Sequence, residues 1–103
     1  MARMLLVRTT VATEAQAHGL ADRLVQSGLA ACVHTGRIRS TYVWKGRQED
    51  GDEWLVEARI LPRHATAVRA ALADGHPYEV PLVETVKVVV DAAYARWAAG
   101  KAQ

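Results

Sequence analysis

The 103-residue sequence has a single cysteine, Cys32, and no phenylalanine. One cysteine excludes an internal disulfide framework and an all-cysteine zinc site, so packing or association must stabilise the fold. Apolar runs such as residues 4–7 and 88–90 are far shorter than the roughly 18 residues that span a bilayer, so no membrane segment is predicted. The N-terminus shows no signal-peptide pattern, and we expect a cytoplasmic protein.

The composition is that of a packed globule, with 50% hydrophobic and 23% charged residues. Its length predicts one domain that covers residues 1–103. The net charge is +2, but acidic residues are interleaved with the basic ones along the whole chain. Because no basic stripe stands out, nucleic acid is not a predicted partner.

Hydrophobic periodicity predicts alternating strands and helices. A capping box at Thr13 and Gln16 begins the first helix, and Gly28 ends it. The predicted order is strand 4–10, helix 13–28, strand 29–45 with a bend at Gly36 and Arg37, turn 46–52, strand 53–60, helix 62–75, rigid connector 76–81, strand 82–90 and a short last helix. This order is the split βαβ pattern of an α+β ferredoxin-like sandwich, an antiparallel sheet with two helices on one face.

The second face of such a sheet has no helices to cover it. Charges nevertheless occur inside the strands that form it, at Arg8, Glu57, Arg59, Glu84 and Lys87. We interpret this face as packing against other copies of the chain, with charges paired across the interface. An ordinary hydrated face is the alternative interpretation.

Four motifs carry a resemblance to a known family. They are Leu29-Ala30-Ala31-Cys32-Val33, Ser40-x-Tyr42-x-Trp44-x-Gly46, His76-Pro77-Tyr78-Glu79-Val80-Pro81 and Tyr94-x-x-Trp97. In order and spacing they resemble the CutA family of divalent-cation-tolerance proteins, from about residue 4 to residue 97. The resemblance implies a homotrimer, similar in plan to the PII signalling proteins, with a role in tolerance of copper and other divalent cations and no required cofactor.

The resemblance also implies a copper site built from one cysteine and two histidines. The matching positions of this chain are Arg8, Gly75 and His76, so only His76 is retained as a metal ligand. We therefore expect weak binding of Cu(II) or another divalent cation at that position.

Cys32 and His34 are two residues apart on a predicted strand, so their side chains share a face. A thiolate and an imidazole form a pair that copper or zinc accepts, although a full site needs further ligands from His76 or another subunit. Alternatively, Cys32 is a small buried hydrophobic residue.

His76 and Glu79 flank a Pro-Tyr corner at Pro77 and Tyr78. Two interpretations remain open: the pair binds a cation or small anion at a subunit boundary, or it pins the corner in place. No nucleophile and base occur at a catalytic spacing, so the protein is not predicted to be an enzyme. His18 and His64 lie on predicted helices and are expected at the surface.

Tyr42 and Trp44 lie on one face of an extended strand next to a polar turn, which favours an interface over the subunit core. The further interface candidates are Tyr78, Trp97, Arg8 and Arg59. Three functions follow from these observations. The first is a non-catalytic, metal-responsive homotrimer. The second is a PII-like signalling trimer that binds a small anionic metabolite in inter-subunit clefts, and the third is a trimeric scaffold for partner proteins.

Overall fold

The computed structural model describes residues 1–101. Its elements are β1 (Ala2–Val11), α1 (Glu14–Gln26), β2 (Cys32–Trp44), β3 (Arg47–Ile60), a 3₁₀ turn (Pro62–His64), α2 (Ala65–Ala73), β4 (Val83–Val90) and α3 (Ala92–Lys101). The four strands form one antiparallel sheet in the order β2-β3-β1-β4. This α+β arrangement confirms the ferredoxin-like fold that the sequence predicts.

Local sequence signals position α1 as expected. The Thr13 hydroxyl accepts from the backbone N–H of Gln16 at 3.1 Å, and the Gln16 side chain accepts from the backbone N–H of Thr13 at 3.1 Å. Gly28 adopts the left-handed conformation, with φ of 77°, just after the helix ends. The residues that predicted the two ends of α1 therefore also cap them.

The main core lies between the sheet and helices α1 and α2. Alternate residues of β3 enter this layer, since Val56, Ala58 and Ile60 are fully buried in it. Other fully buried members of the core are Val7 and Val11 from β1, Leu24 from α1, and Val68 and Leu72 from α2.

Helix α3 lies on the opposite face of the sheet. Its Ala98 is fully buried and packs with Met4 and Leu61, and Tyr94 packs on the same cluster. We call the sheet face opposite α1 and α2 the open face, because α3 covers only one end of it. None of the helices described in residues 1–101 is both long and apolar enough to cross a bilayer.

The hairpin of β2 and β3 corrects two predictions. β2 runs without a break through Gly36, and the predicted turn over 46–52 is strand from Arg47 onward, because the turn consists of Lys45 and Gly46 alone. These two residues have φ values of 51° and 77°, so they form a two-residue turn whose twist matches the flanking strands. The polar residues after the turn are cross-strand partners, because Asp52 and Asp50 form ion pairs with arginines of β2.

The hairpin extends well beyond the rest of the sheet. β1 pairs with β3 only from Trp54 to Ile60, so residues 38–53 pair only with one another. We call this segment the hairpin arm. The chain is correspondingly elongated, measuring 45 × 24 × 22 Å.

His64 is buried, although the sequence predicts it at the surface; His18 is exposed as expected. His64 ends the 3₁₀ turn that precedes α2. A 3₁₀ turn has about three residues per turn, so His64 does not lie on the face that the spacing of an α-helix would give it.

Candidate functional site

A row of charged residues crosses the centre of the open face. Arg8 on β1 lies directly between Glu57 on β3 and Glu84 on β4. Its Nε donates to Glu84 Oε1 at 2.5 Å, and its Nη1 donates to Glu57 Oε2 at 3.2 Å. These bonds, to Glu84 above all, raise the pKa of Arg8. Arg8 forms these ion pairs within its own chain, and its contact with another copy remains a prediction.

Beside this row, the structure brings Cys32 and His34 together. Cys32 Sγ lies 3.4 Å from His34 Nε2, and Arg59 Nη1 lies 3.0 Å from His34 Nδ1. A guanidinium group can only donate, so Nδ1 accepts and the ring proton of neutral His34 lies on Nε2, facing the sulfur. Cys32 is half-buried, so its exposure does not decide between the metal ligand and the buried core residue that the sequence allows.

Tyr94 of α3 approaches the same sulfur. Burial raises the pKa of the Tyr94 hydroxyl, and its interaction with Cys32 raises it further. The thiol therefore lies among polar groups from β2, β3 and α3. This arrangement ties α3 to the open face.

His76 fastens the connector between α2 and β4. Its Nε2 lies 3.0 Å from the hydroxyl of Thr9, and its Nδ1 accepts from the backbone N–H of Tyr78 at 3.1 Å. Burial lowers the pKa of His76, which favours the neutral ring that can accept at Nδ1 while it donates at Nε2. Glu79 is exposed, so the imidazole and not the carboxylate pins the corner.

The side chains that could hold a metal do not converge. In residues 1–101 no three of the His, Cys, Asp and Glu side chains are grouped so that they could hold a metal ion. Both ring nitrogens of His76 are engaged, as are both of His34. A metal at His76 thus remains a prediction that requires ligands from beyond one subunit.

A groove of about 920 Å³ opens between the base of the hairpin arm and the connector. Glu53, which the sequence analysis did not single out, lies in it on the open face. Burial raises the pKa of Glu53, but the hydroxyls of Ser40, Tyr78 and Thr10 outweigh burial and lower it below its ordinary value. The alternation of β3 places Glu53 on the face of Glu57, and that signal was available in the sequence.

The aromatic candidates for an interface are not part of this subunit's core. Trp44 is 39% exposed, Tyr42 49% and Trp97 46%. Tyr78 is half-buried against His76, with ring centres 5.3 Å apart. Whether these residues contact another copy remains a prediction.

Comparisons with known proteins agree with this architecture. A family model described as CutA1 divalent ion tolerance protein matches residues 5–101. The divalent-cation tolerance protein CutA of Thermotoga maritima is 33% identical over 85 residues, which covers 82% of this chain and 84% of that protein.

Solved structures of CutA proteins resemble this chain over nearly its whole length. CutA from Synechococcus elongatus superposes with a TM-score of 0.93 at 31% identity, covering 100% of this chain and 93% of that one. CutA from Xylella fastidiosa has a TM-score of 0.90 at 29% identity, covering 97% and 98%. With the family's motifs matched in sequence and its sheet, helices and connector matched in space, this chain belongs to the CutA1 divalent ion tolerance family.

Proposed function

We propose that the chain is the subunit of a cytoplasmic, non-catalytic homotrimer that acts in the response to divalent cations. Membership of the divalent ion tolerance family supports the cation response. The observation that supports the assembly is the hairpin arm, a two-stranded ribbon that pairs with no third strand within residues 1–101.

The arm needs a partner for physical reasons. An isolated two-stranded hairpin is marginally stable in water, and stable ribbons pack an apolar face against something else. The arm carries Tyr42 and Trp44 on its open-face side, while the ion pairs of Arg39 with Asp50 and Asp52 lie on its other side. A neighbouring copy that packs on the aromatic side stabilises the arm and covers the open face.

The polar groups of the open face favour a non-catalytic role. A cysteine nucleophile requires a base that accepts its proton. His34 presents an N–H to Cys32, because Arg59 occupies its other nitrogen. The imidazole is therefore arranged to hydrogen-bond the sulfur and not to deprotonate it.

Weak cation binding is consistent with the same geometry. One imidazole or one thiol holds Cu(II) or Zn(II) poorly, since affinity rises with the number of converging N and S ligands. In this proposal, copies of Cys32, His34 or His76 from more than one subunit complete any metal shell. The alternative of an anionic metabolite is less favoured, because Arg8 and Arg39 are each neutralised by two carboxylates.

Mass measurement tests the assembly directly. We expect analytical ultracentrifugation to give a particle three times the 11.2 kDa subunit mass at micromolar and submicromolar concentrations. A monodisperse 11.2 kDa species would contradict the proposal. Copper titration of the same sample then tests cation binding separately.

A further inference from the structure

A further cavity opens on the helix side of the sheet, between α1 and the C-terminal end of α2. Its volume of about 380 Å³ lies within the range of about 300 to 1,000 Å³ that is usual for small-molecule sites. We call it the helix cleft, and the lining residues without polar side chains are Val11, Gly19, Leu20, Leu72, Gly75 and Pro77. The assembly proposed above packs on the open face and on the aromatic side of the arm, so the helix cleft lies outside the surfaces that it buries.

One stripe of α1 forms a wall of the helix cleft. The lining residues of this wall occur at positions 16, 19, 20 and 23, which is the i, i+3, i+4, i+7 spacing of a single helix face. The wall is hollow at Gly19, because a Cβ added there would meet no neighbouring atom within 4 Å. The same holds for Gly75, which follows α2. The two glycines therefore leave room that a ligand can fill.

Two opposite charges lie on different walls of the helix cleft without pairing. Arg23 is on α1, and Asp74 directly follows α2. Within residues 1–101 neither forms an ion pair, either with the other or with a third residue. The other polar lining residues are already bonded within the chain, since Gln16 Oε1 accepts from the N–H of Thr13 and both ring nitrogens of His76 have partners. The guanidinium and the carboxylate are thus the two charges that the helix cleft offers to a ligand.

The position of Asp74 is unfavourable in the chain by itself. The C-terminal end of a helix carries partial negative charge from the peptide dipoles, and this charge repels a carboxylate. Asp74 is the residue at which α2 ends, and the last turn of α2 contains no basic residue that would compensate it. An ammonium group beside Asp74 removes this repulsion. A charge that opposes the local helix and lines a cavity is typical of a binding site.

We propose that the helix cleft binds a small zwitterion, an ammonium and a carboxylate group on a short aliphatic body, as in an aliphatic amino acid. The ammonium group pairs with Asp74 at the end of α2, and the carboxylate group pairs with Arg23. The aliphatic body packs on Leu20 and Leu72, in the space beside Gly19. Because the site lies within one subunit, the proposal is independent of the metal response and of the number of subunits.

Leucine and two analogues that each lack one charge test the ligand class. Isothermal titration calorimetry of the full wild-type chain, in its native assembly, compares L-leucine with 3-methylbutylamine, which lacks the carboxylate, and 4-methylpentanoate, which lacks the ammonium group. We expect L-leucine to bind at least about tenfold more tightly than either analogue, because only L-leucine reaches both charges.

Charge-neutral variants assign the two ends of the ligand. Asp74→Asn should weaken binding of L-leucine by about tenfold and leave 4-methylpentanoate unchanged, whereas Arg23→Gln should weaken L-leucine equally and leave the amine unchanged. Both residues are exposed, so the fold is retained. Asp22→Asn and Arg69→Gln are the matched controls, since they remove the same charges from exposed positions of α1 and α2 outside the cleft lining. Their affinities should equal that of wild type.

Gly19→Leu tests the location by filling the helix cleft. The new side chain lies on the face of α1 that forms the wall, so binding of L-leucine should be lost. Leucine is a better helix former than glycine, and the melting temperature of this variant should therefore not fall. A cleft variant with an unchanged melting temperature and wild-type affinity would place the ligand elsewhere.

Three further results would overturn the proposal. They are equal affinity for L-leucine and either analogue, a loss of affinity in the control variants as large as in Asp74→Asn, and no binding of L-leucine to the wild-type protein. Ultracentrifugation of the same samples reports the assembly independently, so failure of the ligand proposal and failure of the trimer proposal are distinguishable.

Discussion

Thr9 and His76 are 67 positions apart in sequence, yet the hydroxyl of Thr9 lies 3.0 Å from His76 Nε2. Thr9 is fully buried in β1, a central strand, so this contact fastens the irregular connector to the interior of the sheet. Because Tyr78 follows two residues later and lines the groove, the same contact positions one of its walls.

Thr9→Val should therefore destabilise the protein although it preserves the side-chain shape. The substitution leaves a partly buried imidazole N–H without its acceptor, which costs about 1 to 3 kcal/mol. Urea denaturation measures the loss of unfolding free energy. Thr85→Val, at an exposed position of β4, is the control and should change stability by less than about 0.5 kcal/mol. Equal effects of the two substitutions would show that the Thr9 contact contributes nothing.

The free energy of unfolding should decrease on mild acidification because of His76. Its folded pKa is lowered by burial, so the unfolded chain binds the proton more readily than the folded one. The contribution of His76 is fully present above the ordinary imidazole pKa of about 6.5 and is lost as the pH falls from there through the folded pKa. Denaturation at a series of pH values should show a shallower decline for His76→Gln than for wild type. Parallel pH profiles would exclude His76 as the cause.

Arg8→Met should destabilise the subunit more than the removal of an exposed arginine does. It leaves Glu57 and Glu84 facing one another across β1 without the guanidinium between them. We expect a loss of unfolding free energy that 1 M salt reduces by screening. Arg37→Met is the comparison and should cost less, because its single ion pair with Asp52 is more exposed.

Trp44→Ala should harm assembly more than it harms the isolated fold. Truncation of a large aromatic residue costs about 3 to 5 kcal/mol where it is buried, and Trp44 is 39% exposed in one subunit. A melting temperature that depends on protein concentration is the expected result. Val43→Ala, on the other side of the arm and 72% exposed, should leave the melting curve unchanged. A variant that remains trimeric and melts independently of concentration would place Trp44 in the subunit's own packing.

Copper binding at His76 should be micromolar or weaker. Both ring nitrogens already have partners within the chain, and a metal must displace one of them. Titration of wild type beside Cys32→Ser and His76→Ala distinguishes the two candidate positions. Any copper binding tighter than micromolar should be lost in Cys32→Ser. Submicromolar binding that is lost only in His76→Ala would contradict this expectation and would indicate ligands from a neighbouring subunit.

Local patterns predicted the order of elements well, because each signal lies within a few residues of its effect. The capping box at Thr13 and the alternation that buries Val56 and Ala58 are of this kind. The prediction of a turn over residues 46–52 was wrong because Asp50 and Asp52 are typical of loops. Their arginine partners lie on the other strand of the hairpin, and local sequence does not reveal that pairing.

The candidate site was less predictable than the fold because its contacts are distant in sequence. Nothing near His76 indicates that Thr9 meets its Nε2, and the hydroxyls around Glu53 come from three separate segments. Cys32 and His34 were found because two residues on one strand share a face whatever the rest of the chain does.

The two-residue turn at Lys45 and Gly46 sets how much change the tip of the arm tolerates. Exposed loop tips usually accept insertions, but a residue added here must be absorbed either by a longer loop with a bulge or by a one-residue shift of β2 against β3. Such a shift within the arm would place Val43 on the side where Tyr42 and Trp44 now lie. The positions of the aromatic rings therefore depend on the length of the chain at the tip.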